Sequence, residues 1–122
     1  LAHLARRLGF AGRYVIYDLP EFVLLQRYFL ATVGVEVAHA SGPEAADLFV
    51  ALYSLSETPA AFRRDFGRQM WADTYLLLYS GRWAEHDNVA WAAEFREFHG
   101  DLRWSVEPYP GRPDFYAFGW RP

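Results

Sequence analysis

Two acidic residues follow apolar segments at positions where a ligand could be held. Asp18 ends the run YVIYD, and Glu57 ends the run ALYSLSE. In an open parallel sheet, ligands bind beyond the carboxyl ends of the strands, and a carboxylate there can accept hydrogen bonds from both hydroxyls of a ribose. Asp18 is therefore a candidate for binding a nucleoside. Its position just before a helix also suits an aspartate that only stabilises the helix through capping and the helix dipole.

Chemistry on a hydroxyl group needs a base, and Glu57, His86 and Asp87 are the candidates. Glu57 could bind or deprotonate a hydroxyl, or it could be a carboxylate favoured at the start of the next helix. His86, in the segment WAEHDN, is either a base, because histidine side chains in general titrate near neutral pH, or an exposed loop histidine. Asp87 is better explained as a helix cap. Because Asp87 and Asn88 have no second acidic pair at a suitable spacing, we expect no metal site.

Aromatic residues offer a second kind of contact, since a flat ring packs against the apolar face of a sugar. Trp83 follows Gly81 and Arg82 in an expected loop, and we expect it to face an acceptor. Trp91 lies on the apolar face of an expected helix and is assigned to the core. The residues expected on solvated helix surfaces or at helix ends, without a chemical role, are Arg63, Arg64, Arg68, His3 and His99.

Hydrophobic periodicity and turn signals predict the elements that position these residues. Helices are expected over 2–10, 20–33, 58–71 and 88–99. Strands are expected over 14–18, 35–40, 47–54 and 74–80, followed by an antiparallel hairpin around the PGRPD turn. Pro20 suits the first turn of a helix, and Thr58 and Asp87 are expected to cap the two later helices. The alternation of helices and strands predicts an α/β fold with a mostly parallel sheet.

The composition limits the classes of function. Of the 122 residues, 52% are hydrophobic and 19% are aromatic, which favours a folded core over disorder. The net charge of −3, without a run of Lys or Arg, argues against a nucleic-acid partner. No cysteine is present, so disulfides and thiolate metal sites are excluded. No apolar run is long enough to cross a membrane and nothing resembles a signal peptide, so we expect a cytoplasmic protein without a membrane partner.

Two segments resemble a known family. RYVIYDLPEFVLLQRYFLATVGVEV and DLFVALYSLSE are similar to the middle of the sugar O-methyltransferase family, a branch of the class I S-adenosylmethionine-dependent methyltransferases. The matching residues are Asp18, Leu19, Pro20, Glu21, Gln26, Tyr28, Leu30 and 53–57. The similarity covers most of residues 1–80. It implies a transferase with a Rossmann-like sheet, helices on both faces, S-adenosylmethionine as cofactor, and a small-molecule or glycan hydroxyl as acceptor.

The resemblance also implies positions for the cofactor and the acceptor. Asp18 would hold the ribose, and Leu19 would lie beside the adenosine. The other implied positions are His39 and Ala40 near the adenine, Ser54 near the methionine end, and Ser56 with Glu57 facing the acceptor. His39 is equally explained as a strand-end residue that is packed for structural reasons.

One part of the family's pattern is not found in these residues. Class I methyltransferases begin with a strand and a glycine-rich turn, whereas Gly9 and Gly12 follow the first expected helix. We therefore expect residues 1–122 to be the C-terminal portion of a methyltransferase domain. The missing strand would lie between the strands ending at Asp18 and near Ser54, and its loss would expose two strand edges and favour homo-oligomers. The alternatives are a non-catalytic Rossmann-like binding module and a truncated fragment without methyl transfer.

Overall fold

The structure is a computed structural model that describes residues 1–122. The chain divides into two compact units, which we call the N-terminal unit (Leu1–Pro43) and the C-terminal unit (Glu44–Pro122). Each unit combines helices with strands, so the prediction of an α/β fold is confirmed. No helix combines the length and the apolar character that a membrane crossing requires.

The N-terminal unit contains two helices and two short strands. In chain order these are α1 (Ala2–Arg7), β1 (Val15–Ile16), α2 (Pro20–Thr32) and β2 (Ala38–His39). The two strands pair in parallel, with Ile16 opposite His39. Pro20 is the first residue of α2, where its missing N–H interrupts no helical hydrogen bond. All four elements lie where the sequence predicts them, although each strand is only two residues long.

The side chain of Arg6 fixes the connection between α1 and β1. Its Nη1 donates to the carbonyl oxygens of Phe10 and Gly12, both at 2.8 Å. The guanidinium also lies 5.4 Å from the centre of the Phe10 ring. A Cβ atom at Gly12 would come within 2.7 Å of that ring, so a larger residue there would require the exposed Phe10 side chain to move. The conformation of this turn therefore depends on contacts among residues 6–12.

The C-terminal unit is built on a four-stranded sheet. Its elements are β3 (Ala46–Leu52), α3 (Ala60–Gln69), β4 (Ala72–Ser80), β5 (Arg82–Trp83), β6 (His86–Asp87), α4 (Asn88–Phe98), β7 (Arg103–Pro108) and β8 (Asp114–Trp120). The strand order in the sheet is β3-β4-β8-β7. β3 and β4 are parallel, whereas β8 is antiparallel to both of its neighbours. The last strand in the chain is thus an inner strand of the sheet.

One face of this sheet is covered by α3 and α4. Tyr75 of β4 is at the centre, and its ring packs edge-on against Phe95 of α4. The Tyr75 hydroxyl donates to the Met70 carbonyl at 3.0 Å and accepts from the Ala72 N–H at 2.8 Å, so it is fully satisfied. The other core side chains include Leu77, Tyr79, Ala117, Phe66, Trp91 and Ala92. Burying one such large side chain stabilises the fold by about 1.5–3 kcal/mol.

His99 follows the last residue of α4, as predicted for a helix end, but it is not a surface residue. It is only 1% exposed and packs against the rings of Tyr75, Phe95 and Trp71. Its Nε2 lies 3.1 Å from the Gly67 carbonyl, which makes this nitrogen the donor. Burial among these rings lowers the pKa of His99, so the imidazole is neutral in the folded protein.

The prediction of a mostly parallel sheet does not describe the C-terminal unit. Its sheet contains one parallel pairing, β3 with β4, and two antiparallel pairings made by β8. The covering helices α3 and α4 both pack on one face, so helices on both faces of this sheet are not found. The physical reason is that the predicted closing hairpin is inserted beside β4 and contributes half of the strands.

The four helices lie close to their predicted ranges, whereas one helix cap and one hairpin differ from the prediction. Asp87 caps α4 as predicted, because its carboxylate accepts the Ala90 N–H at 3.0 Å. Thr58 does not cap α3, since its hydroxyl instead donates to the Leu55 carbonyl at 2.8 Å and Pro59 is the cap residue. The short hairpin of β5 and β6 was not predicted, and the segment that contains Trp83 and His86 was expected to be a loop.

Candidate functional site

Asp18 lies just beyond the carboxyl end of β1, as the sequence predicts. Its Oδ1 accepts the Leu19 N–H at 2.8 Å, and its Oδ2 accepts a hydrogen bond from Nε2 of Gln26 at 2.7 Å. Leu19 is the cap residue of α2, so the carboxylate ties the strand end to the start and second turn of that helix. The side chain is nevertheless exposed, and each oxygen retains a free lone pair. Asp18 can therefore accept further hydrogen bonds while it holds α2.

Three side-chain polar atoms of this unit are buried without a partner. They are Nδ1 of His3, Nε2 of His39, on the strand that pairs with β1, and Oε1 of Gln26, the residue that donates to Asp18. Leaving a buried polar atom unsatisfied costs about 1–3 kcal/mol, and such atoms are rare. Ala40 follows His39, and its N–H is already bonded to the Ile16 carbonyl at 2.9 Å. These atoms are sealed from solvent, so a ligand could satisfy one of them only after a local rearrangement.

These residues fit one end of S-adenosylmethionine and not the other. The exposed Asp18 carboxylate suits the two ribose hydroxyls, whereas the His39 nitrogen is sealed from solvent and does not itself face a ligand. The glycines of this unit do not form a cradle for the methionine end. A Cβ atom at Gly9 would meet nothing within 4 Å, and one at Gly12 would meet only the ring of Phe10. The residues of this unit would therefore contact only the nucleoside end of the cofactor.

In the C-terminal unit, the end of β3 is shaped by Tyr53. This residue has a φ angle of 64°, in the left-handed region that aromatic residues rarely adopt. Such a conformation costs on the order of 1–3 kcal/mol and persists only where neighbouring contacts enforce it. The Tyr53 N–H donates to the Leu78 carbonyl at 2.7 Å, and its carbonyl accepts from Ser56 Oγ at 2.9 Å and the Glu57 N–H at 3.0 Å.

The side chain of Tyr53 bonds to Asp114, the first residue of β8. The Tyr53 hydroxyl donates to Oδ2 of Asp114 at 2.9 Å. Asp114 is only 8% exposed and lies opposite Ser80, the last residue of β4. Its carboxylate raises the pKa of Tyr53 by holding the hydroxyl proton, so the phenol stays a donor at neutral pH. Sequence reasoning missed this pair because the two residues are 61 positions apart.

A buried polar network joins α3, α4 and the turn after β3. Arg63 is only 3% exposed, and its Nη1 donates to the Ser56 carbonyl at 3.0 Å and to Oδ1 of Asn88. The guanidinium lies 5.2 Å from the centre of the Trp91 ring. Burial lowers the pKa of Arg63. The prediction that Arg63 lies on a solvated face is therefore wrong, whereas its neighbour Arg64 is exposed as predicted.

The turn after Tyr53 brings three of the predicted site residues together. Ser54 and Glu57 are exposed, whereas Ser56 is buried and its hydroxyl is bonded to the Tyr53 carbonyl. Glu57 is thus free to meet a ligand from solvent. The Ser56 hydroxyl can bind a ligand only if it first gives up its hydrogen bond to the Tyr53 carbonyl.

The hairpin of β5 and β6 brings the other two predicted residues together. The rings of Trp83 and His86 stack with their centres 5.8 Å apart and an interplanar angle of 22°. Trp83 is 37% exposed, so one part of its ring surface faces solvent. No hydrogen bond or ion pair connects His86 to Glu57, and the two base candidates are separate groups in the structure. The pair is suited to a stacking contact with an apolar sugar face.

No family model matches the chain. No curated protein matches it at a significant level either. The resemblance to methyltransferases therefore rests on the sequence motifs alone.

The structure shows no cluster of metal-binding side chains, and its groove between α3 and α4 is lined by other residues than the predicted site. No three His, Asp or Glu side chains lie close enough to hold a metal ion together. A groove of about 300 Å³ runs between α3 and α4, where Arg63, Arg64 and Arg68 face Glu94 and Glu97. None of Asp18, Tyr53, Glu57 or Asp114 lines this groove. Its mixture of positive and negative side chains favours no single charge of ligand.

Proposed function

We propose that the chain is part of a class I S-adenosylmethionine-dependent O-methyltransferase that acts in the cytoplasm on a sugar hydroxyl. The proposal rests on two strands that each have an unpaired edge. β1 pairs only with β2, and β3 pairs only with β4, so each has one edge without a partner. The resemblance places the family's first strand between these two strands.

In the family that the chain resembles, the first strand would give each of these open edges a partner. The proposal requires this strand and its glycine-rich turn to come from a segment other than residues 1–122.

On the cofactor side, residues of the N-terminal unit bind the nucleoside. S-adenosylmethionine supplies a methyl group that is activated by the sulfonium charge. Asp18 accepts hydrogen bonds from the ribose hydroxyls, and Gln26 fixes the orientation of its carboxylate. Leu19 covers the adenosine, and His39 with Ala40 lies at the adenine.

On the acceptor side, residues that follow β3 and β4 bind and activate a hydroxyl. Glu57 is the proposed general base, because it is an exposed carboxylate at the carboxyl end of β3, where ligands of open α/β sheets bind. His86 is the alternative base. Trp83 offers its exposed ring to a sugar, and Ser54 and Ser56 line the same turn as Glu57.

A non-catalytic binding module is the second candidate. One observation favours it, since both oxygens of Asp18 already have partners within the chain. The aspartate is then explained by the start of α2, without any cofactor. A truncated fragment without methyl transfer would show the same contacts, so binding of the cofactor must decide.

Calorimetric titration of the full-length protein that contains residues 1–122 with S-adenosylmethionine tests the proposal. Asp18→Ala should weaken binding tenfold or more, because a charge-assisted hydrogen bond contributes about 1.5–3 kcal/mol. Glu57→Gln is the matched control: cofactor affinity should stay the same, while turnover of a methylated acceptor falls by about 10²–10⁴-fold. Unchanged affinity in Asp18→Ala would remove Asp18 from the site. Absence of binding by the wild-type protein would favour the non-catalytic module.

A further inference from the structure

We propose that Asp114, held in place by Tyr53, binds a hydroxyl group of a neutral polyhydroxylated ligand at the edge of the C-terminal sheet. That the ligand is a sugar rests on the proposed function. The binding group itself rests on the geometry of this carboxylate. Neither residue was singled out by the sequence for this role, and Glu57 is a separate carboxylate on the preceding turn.

The hydrogen-bonding capacity of the Asp114 carboxylate is only half satisfied. Its side chain is almost completely removed from solvent, with 8% exposure, yet only Oδ2 has a partner, the Tyr53 hydroxyl at 2.9 Å. Oδ1 makes no hydrogen bond, and it is not among the atoms that are sealed from solvent without a partner. A buried carboxylate normally accepts several hydrogen bonds, because burial of its charge is otherwise unfavourable. Oδ1 is therefore an acceptor that a hydroxyl donor can reach.

The position of the Tyr53–Asp114 pair in the sheet also favours a binding site. β8 runs antiparallel to β4, so its first residue, Asp114, lies opposite the last residue of β4, Ser80. Tyr53 directly follows β3, the parallel neighbour of β4. The pair thus lies at the carboxyl ends of the two parallel strands, where ligands of open α/β sheets bind. The strained backbone of Tyr53 is also typical of functional positions.

The charge and surroundings of the pair indicate the class of ligand. The open carboxylate oxygen is an acceptor for a hydroxyl donor, and Arg112 interacts with the Tyr53 hydroxyl. The N–H of Gly81 donates to the carbonyl of Pro113, the residue before Asp114, at 2.6 Å. This bond anchors the start of the hairpin that carries Trp83 to the same edge of the sheet. A carboxylate acceptor with an aromatic ring on a neighbouring segment is a combination suited to sugars.

The test measures binding of sugars by the full-length protein without cofactor. Isotope-labelled protein is titrated with the methyl glycosides of glucose, galactose and mannose, and amide chemical shifts are followed by NMR. We expect at least one glycoside to shift the amides of Tyr53, Ser80 and Asp114. The fully O-methylated glycosides, which keep the ring but have no hydroxyl donor, should not. Absence of shifts at these amides with all three glycosides would overturn the proposal, as would equal shifts with the methylated probes.

Variants then separate binding from a purely structural tie between β3 and β8. Asp114→Asn should weaken glycoside binding by about 10–150-fold, the loss expected for one charge-assisted hydrogen bond. Asp73→Asn, the same change at the other end of the sheet, should leave the dissociation constant unchanged. A folded Asp114→Asn protein with wild-type affinity would refute the proposal. If that variant does not fold, Tyr53→Phe replaces it in the test. Asp114 without the Tyr53 hydroxyl should still bind glycosides, but with a changed dissociation constant. An unchanged dissociation constant would refute a role for the Tyr53–Asp114 pair.

The outcome is distinguishable from a failure of the proposed function. Binding of glycosides at Asp114 without binding of S-adenosylmethionine would support this site and count against the methyltransferase. Binding of S-adenosylmethionine, with no glycoside-induced shifts at the amides of Tyr53 and Asp114, would support the methyltransferase and count against this site.

Discussion

Replacement of Arg63 by alanine should destabilise the C-terminal unit by about 3–5 kcal/mol. The change leaves the Ser56 carbonyl and Oδ1 of Asn88 without their donor, and each unsatisfied buried group costs about 1–3 kcal/mol. It also removes the contact of the guanidinium with the Trp91 ring, which contributes about 0.5–2 kcal/mol. Release of a buried charge offsets part of this loss. The sum is large because every lost partner is itself buried.

Urea unfolding, followed by tryptophan fluorescence and by circular dichroism, measures the effect. The two probes should give coincident transitions, so that one free energy of unfolding can be extracted. Arg64→Ala is the matched control, since Arg64 is an exposed neighbour on α3 and its loss should change stability by less than about 0.5 kcal/mol. Arg63→Met restores the volume without the donors and should remain nearly as unstable as Arg63→Ala. An Arg63→Ala protein within about 1 kcal/mol of wild type would refute the reasoning.

Two further predictions concern acid stability and self-association. The stability of the wild-type protein should fall as pH drops below 6.5, the ordinary pKa of histidine, because the lowered pKa of His99 lets only the unfolded chain take up the proton. His99→Gln should lose this component of the pH dependence in urea midpoints between pH 8 and 5, and an unchanged slope would contradict the assignment. Residues 1–122 alone should self-associate through the open edge of β3, whose Leu48 is 54% exposed, and should bind S-adenosylmethionine poorly. Leu48→Lys should reduce the association measured by sedimentation, whereas a cooperatively melting wild-type monomer at about 100 µM would refute it.

The parts of the fold that the sequence predicted are those set by neighbouring residues. Pro20 begins α2 and Asp87 caps α4 because the responsible contacts lie within one helical turn. The apolar run of β4 was equally clear, because alternate side chains of a central strand are buried. The position of Asp18 at the end of β1 follows from the same kind of local signal.

The parts that were missed depend on contacts between distant segments. Arg63 has the sequence neighbours of a surface residue, and its burial follows from the partner that Asn88 provides on another helix. The Tyr53 and Asp114 pair and the antiparallel position of β8 are likewise set by tertiary pairing, which periodicity does not encode. Helix and strand order predicted an α/β fold, but it could not specify that the last two strands join the sheet beside β4.

The inner position of β8 has a consequence for the order of folding. Among the strands of the C-terminal unit, β8 leaves the ribosome last, yet both β4 and β7 need it as their neighbour. During synthesis one edge of the apolar strand β4 therefore stays unpaired until β8 has been made. The long sequence separation between β4 and β8 makes formation of the complete sheet slow. Asp114 arrives with the same strand, so the Tyr53 contact cannot form before the sheet closes. Formation of this contact would report, in a pulse-labelling or cotranslational folding experiment, that the unit has completed its fold.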